Sequence, residues 1–165
     1  MTEAAPNYPN ITQIAVPFFI ATMIAEILIG RITGRAKYET RDTAISLAMG
    51  FGSVAFDTAL AFVAGGFLVW LWHYRAFTLG YSVWVIAWCF VLDDLRYYAF
   101  HRFSHRSRWG WASHVNHHTS QHYNLSTALR QSWTTPLTVI PFYVWMPLVG
   151  FHPGILVTLT SISLI

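Results

Sequence analysis

Hydrophobic residues fall along this chain in four blocks separated by short polar or basic segments. The first, from Ile11 to Gly30 (residues 11–30), is long enough to cross about 30 Å of hydrocarbon as a helix. Pro17 falls early in it, where a helix tolerates proline best, and Glu26 falls late. The second block, 43–72, is long for one crossing, so a tilt or an interruption near Gly65 and Gly66 is expected. The third, 81–100, runs directly into a histidine-rich segment, 94–132. The fourth, 134–165, contains Pro136, Pro141, Pro147 and Pro153 and reads as a bent hairpin turning near Gly150 to Pro153. The pattern predicts an all-α fold. It is a polytopic integral-membrane helical bundle, a single domain over 1–165, with a histidine-rich helical cap.

Composition agrees with a membrane protein. Charged residues make up only 10% of the chain, against about a quarter in soluble domains. Eight Trp, eight Tyr and twelve Phe suit membrane interfaces. The net charge of +3 raises nucleic acid as a partner, but topology accounts for the basic residues better. Nine of the ten Lys and Arg lie in 31–41 or 96–130, and only Arg75 lies between the two spans that separate those segments. The positive-inside rule then puts the N-terminus outside and the histidine segment in the cytoplasm. Cys89 stands alone inside an apolar run, so there is no disulfide framework. The first ten residues hold Glu3 and no Lys or Arg, so a signal peptide's basic n-region is missing and the first block reads as a retained span. From Gly154 the sequence stays apolar to Ile165 for twelve residues, too few to cross a bilayer. That end reads as a short re-entrant or buried helix, or as a chain cut inside its last helix; the cut is the expectation.

Six of the eight histidines lie between 94 and 132. His101 and His105 form an HxxxH pair, and His114, His117 and His118 an HxxHH cluster. Residues at i, i+3 and i+4 share one helical face, so two packed helices would bring five ring nitrogens together. Neutral imidazole is the commonest protein ligand for a transition metal. A closed tetrahedral site needs four ligands, so five point to an open larger shell or to part of a two-metal site. The lack of cysteine ligands argues against a structural zinc finger, and no HExxH is present.

Other residues stand around this cluster. His122 has no helical partner and reads as a rim or supporting residue; His73 and His152 sit at span ends and are set aside. Asp94 is two turns before His101, about 10 Å along a helix. It cannot touch His101, but it could hold the free ring nitrogen of a histidine on a neighbouring helix. The alternative pairs Asp93 or Asp94 with Arg96 or Arg102. Asp57, deep in the second block, is expected to face the bundle interior. Asn124, Ser126 and Thr127 could cap the helix bearing Arg130. Arg130 joins Asp94 and His122 as a candidate for support behind the histidines.

The run DDLRYYAFHRFSHRSRWGWASHVNHHTSQHYNLSTALRQS resembles the fatty acid hydroxylase/sterol desaturase superfamily of integral-membrane di-metal oxygenases. Its YNLSTALRQS tail, with VPFFIATMIAEILIG and RDTAISLAMG, is similar to the alkylglycerol monooxygenase-like branch. The resemblance implies His101 and His105 as a first histidine box and His114, His117 and His118 as a second. A third HxxHH box is implied after the last hairpin, and residues 1–165 do not contain it. It further implies two iron ions that activate O₂ and hydroxylate or desaturate a lipid C–H bond, in a bacterial-type inner membrane or the endoplasmic reticulum. Electrons must come from an external donor, since no dinucleotide fingerprint or haem motif is present; the branch allows a reduced pterin. Two other readings stay open. One is a membrane metal-binding or metal-transport protein, whose ligands would sit near the midplane with carboxylates among them. The other is an inactive fragment lacking the third box.

Overall fold

A computed structural model describes residues 11–35 and 38–163. The readings that rest on the first ten residues, on Lys37 and on Ile165 lie outside the described residues. Every regular element among those described is helical: α1 (Ile11–Thr33), α2 (Thr40–His73), α3 (Val83–Arg106), α4 (Arg108–His114), α5 (Thr135–Tyr143), α6 (Trp145–Val149) and α7 (Pro153–Ser163). Two short 3-10 turns, Val115–His118 and Leu125–Leu129, lie between α4 and α5.

Glu39 starts α2, its carboxylate accepting the N–H groups of Arg41 (3.1 Å) and Asp42 (2.6 Å). Asp42 in the first turn adds negative charge where the helix dipole favours it. The helix then runs 34 residues without a break, so Gly65 and Gly66 do not interrupt it. Nothing lies within 4 Å of where a Cβ would stand at either glycine, and the helical bonding continues through them. Its length of about 51 Å exceeds the hydrocarbon thickness. Among the described residues, α1 from Ala15 and all of α2 are long and apolar enough to cross a membrane. Large apolar side chains cover their outer faces, with Phe18 73%, Phe51 76% and Phe62 92% exposed. Apolar surface of that extent needs hydrocarbon or another protein to cover it. Asp57 is exposed and without a hydrogen-bond or ion-pair partner among the described residues. It shares the helical stripe of the buried Ser46, Gly50 and Ser53, but it stands one turn beyond them and is exposed rather than enclosed in the bundle as expected.

The third apolar block forms α3, but Asp93, Asp94 and Arg96 in its middle leave it less apolar than α1 and α2. Its first half packs on α6 and α7 in a core of Cys89, Met146, Phe151, Ile155, Leu156 and Leu159. The hairpin is more broken than its sequence suggested. Pro141 and Pro147 cannot donate a backbone hydrogen bond, and the segment divides into α5 and α6 before turning. The turn is at Gly150, whose φ of +130° and contact with the Phe77 carbonyl leave no room for a side chain. Beyond the core, α3 continues to Arg106 and carries His101 and His105 one turn apart.

Candidate metal centre

Ser107 ends α3 and caps α4, its hydroxyl accepting the Gly110 N–H at 2.9 Å. α4 folds back against α3 at Gly110, where an added Cβ would stand 2.8 Å from Ser104 Cα. α4 ends at His114, and the 3-10 turn that follows carries His117 and His118. The second cluster is therefore not one face of one α-helix, as its spacing suggested. The backbone tightens after His114 and brings the last two rings alongside the first.

Four of the five rings form a tight group. His101 Nε2 is 3.1 Å from His105 Nε2, and His114 Nε2 is 3.1 Å from His118 Nε2. Across the two helices, the His114 ring centroid lies 4.7 Å from that of His101 and 4.8 Å from that of His105. The His105 and His118 rings are 4.9 Å apart, and His117 packs on His118 at 5.4 Å. One ligand atom from each of His101, His105 and His114 fits within a 4.8 Å span. Nitrogens bound at about 2.0–2.1 Å to one metal stand about 2.9–3.4 Å apart for ligand angles between 90° and tetrahedral. Both 3.1 Å pairs match an edge of such a polyhedron.

Electrostatics point the same way. Burial, reinforced by the neighbouring imidazoles, lowers the pKa of His114 from 6.5 to about 4. The same causes in the same order push His101 and His118 down. These rings stay neutral at physiological pH and keep a lone pair to offer. His101 Nδ1 and His117 Nδ1 are buried with no hydrogen-bond partner among the described residues. Such orphaned nitrogens are costly unless something binds them or their ring. The donor set therefore fits a metal that takes imidazole. Trp111 covers one side, its ring 5.6 Å from His118 and 5.7 Å from His105, and Tyr97 lies 5.8 Å from His101 on the other.

The remaining candidates are placed differently. Asp94 is exposed and bonds no histidine among the described residues; Asp93, one position and about 100° around the helix, is the buried one. Asp93 pairs with Arg96 at 2.8 Å, while Arg102 donates to the Tyr98 hydroxyl. His122 lines a separate open cleft with Glu26 and Arg35 and is not in the ring cluster. Among the described residues Arg130 bonds no histidine; it bonds Asp42, Ser46 and Thr119. Asn124 and Thr127 form a capping box on the 3-10 turn, with Arg130 just after it. His73 bonds its own helix at the Val69 carbonyl, and His152 packs on Trp72, both away from the cluster. Sequence reasoning missed Gly110, Trp111 and Asp42. Trp111 could have been found, since it stands three residues before His114 at helical spacing.

Residues 86–165 match the fatty acid hydroxylase family model. The chain is 35% identical to alkylglycerol monooxygenase of Homo sapiens over 92% of its own length and 34% of that protein's. It is 35% identical to the Danio rerio enzyme over 86% of the chain and 32% of the relative. With the Caenorhabditis elegans enzyme it shares 31% over 79% and 26%. The chain thus spans about a third or less of the length of these relatives. No solved structure matches it. The matched stretch, residues 86–165, holds all five clustered histidines and is similar to the fatty acid hydroxylase family.

Proposed function

We propose that this chain carries the metal centre of a membrane-bound iron oxygenase that hydroxylates a lipid C–H bond, with His101, His105, His114, His117 and His118 as ligands. The observation that carries the reading is the convergence of imidazoles, with two Nε2 pairs each 3.1 Å apart. Iron fits an all-nitrogen set, and similarity to that family favours it over zinc or copper. Bound iron supplies the redox chemistry that lets O₂ react with an unactivated C–H bond. The overall change is C–H + O₂ + two electrons + two protons → C–OH + H₂O, with the electrons from an external donor such as a reduced pterin.

The chain's own residues do the rest. α3 carries its histidines at the end of a helix whose other half sits in the apolar core, so the centre is at the bundle's rim. We place that rim on the cytoplasmic side, in line with the basic residues of 31–41 and 96–130. A lipid's apolar tail would lie between helices, and Trp111 and Tyr97 would restrict water around the ligands. The relatives' name makes a glycerol ether the first substrate to try. The test is ¹⁸O₂ incorporation. Membranes containing the protein, supplied with iron, reduced pterin and an alkylglycerol, should release a lipid product containing one ¹⁸O atom, and His101→Ala should abolish it. Label arriving from H₂¹⁸O alone, or equal label with His101→Ala, would refute the reading.

A further inference from the structure

Arg130 is 3% exposed, and its bonds all serve one arrangement. Nη2 donates to Asp42 Oδ1 (2.7 Å) and to the Asp42 carbonyl (2.9 Å). Nε and Nη2 both reach Ser46 Oγ, at 3.2 and 3.1 Å. Nη1 donates to Thr119 Oγ1 at 3.0 Å. The second Asp42 oxygen, Oδ2, accepts from Ser120 Oγ at 2.6 Å. Thr119 and Ser120 are the two residues directly after His118. Ser120 Oγ also lies 3.1 Å from the His122 carbonyl oxygen and accepts the His122 N–H (3.3 Å). One ion pair anchored in the first turn of α2 thus grips the backbone just downstream of the second histidine cluster.

The surroundings make that grip rigid. Residues Leu125–Leu129 lie on the small-residue face of α2, where a Cβ at Gly50 would stand 2.9 Å from the Leu129 carbonyl oxygen. Trp133 Nε1 donates to the Met49 carbonyl at 3.0 Å. From α1, Glu26 accepts the Leu125 N–H at 2.9 Å and the Tyr38 hydroxyl. A buried ion pair is a poor source of stability, since an apolar pair of similar volume often does as well. A guanidinium fork sets direction instead, fixing several acceptors in one plane.

We propose that Asp42 and Arg130 are positioning residues for the metal centre. Acting through Thr119 and Ser120, they hold His117 and His118 in register with His105 and His114. The proposal rests on the reading of the histidines as ligands. Metal–ligand distances tolerate about ±0.2 Å, less than an untethered loop would keep. The clamp also ties the centre to α2, one of the two long apolar helices.

Cobalt(II) titration of the purified protein in detergent, followed by its d–d absorption, tests this without any turnover. Thr119→Val removes the hydroxyl that accepts from Arg130 and itself donates to the Asn116 carbonyl at 2.8 Å, and Thr119→Ser restores both bonds. Arg130→Lys keeps the charge and loses the fork. Trp133→Phe breaks a different bond on the same face of α2. Thr119→Val and Arg130→Lys should weaken cobalt binding by about 10–100-fold, the usual cost of losing an outer partner of a metal ligand. Both should also shift the d–d bands, while Thr119→Ser and Trp133→Phe match wild type. Should Arg130→Lys fail to fold, Thr119→Val decides. Wild-type affinity and spectrum in Thr119→Val would overturn the clamp alone, as would an equal loss in Trp133→Phe. Wild-type protein that binds cobalt no better than His101→Ala would remove the histidine reading and the clamp with it.

Discussion

Gly110→Ala should be destabilising, although the substitution of Gly by Ala inside a helix ordinarily stabilises by up to about 1 kcal/mol. An added Cβ would stand 2.8 Å from Ser104 Cα, 2.8 Å from Ser107 Oγ and 3.0 Å from the Phe103 ring. Carbon atoms in good contact sit about 3.5–4.0 Å apart. At the Ser104 backbone, α4 must therefore retreat by about 0.7–1.2 Å, and overpacking of this kind costs about 1–3 kcal/mol. The retreat carries His114, four residues on, away from His101 and His105 by more than the roughly 0.2 Å a metal site accepts. Metal affinity should fall at least about tenfold, since each 1.4 kcal/mol is one factor of ten. Gly80→Ala is the comparator, because nothing lies within 4 Å of its added Cβ. The assay is the unfolding temperature by circular dichroism in detergent, with the metal retained after desalting. If Gly110→Ala unfolded at the wild-type temperature or above and kept its metal, the close approach of α4 to α3 would be wrong.

Alanine at His101, His105, His114, His117 or His118 should each lower bound metal, and alanine at His73 or His152 should not. Equal loss in His73→Ala and His114→Ala, by elemental analysis, would break the assignment. The metal-free protein should lose stability as pH falls from about 6.5 toward 4. The folded His114 resists the proton that the unfolded chain accepts in that window, so stability is complete above it and declines within it. An unfolding temperature that is flat between pH 7 and 5, or whose slope persists unchanged in His114→Asn, would contradict this. Cysteines placed at Arg35 and Gln121 should be labelled only from the cytoplasmic side, and one at Thr78 only from outside; native Cys89 is buried and gives little background. Labelling of 35 and 121 from outside intact cells would reverse the topology.

The apolar blocks and the histidine spacing were legible because both are local. Periodicity over 11–30 and 43–72 gives α1 and α2, and the i, i+4 spacing of His101 and His105 survives intact in α3. The turn at Gly150 was legible too, since glycine among prolines marks a change of direction. What stayed hidden depends on which face packs. Asp93 and Asp94 are adjacent in sequence, yet one is buried against Arg96 and the other exposed. Asp57 shares the helical stripe of Ser46, Gly50 and Ser53, yet one turn beyond them it is exposed, because packing partners cover only part of that stripe. The break at Ser107 carries no proline and no glycine run, because one serine ends one helix and begins the next. The Asp42–Arg130 pair joins residues 88 apart, and no local pattern signals a contact at that range.

Iron K-edge X-ray absorption on the iron-loaded chain, paired with the iron count per protein, tests the central claim most directly. The account predicts a nitrogen and oxygen shell with the outer-shell scattering of at least three imidazoles. Loss of the imidazole signal should follow from His101→Ala combined with His114→Ala. The iron count per chain should fall together with that imidazole scattering. Iron held without imidazole scattering, or a spectrum unchanged by that double substitution, would contradict the claim that these histidines form the metal centre.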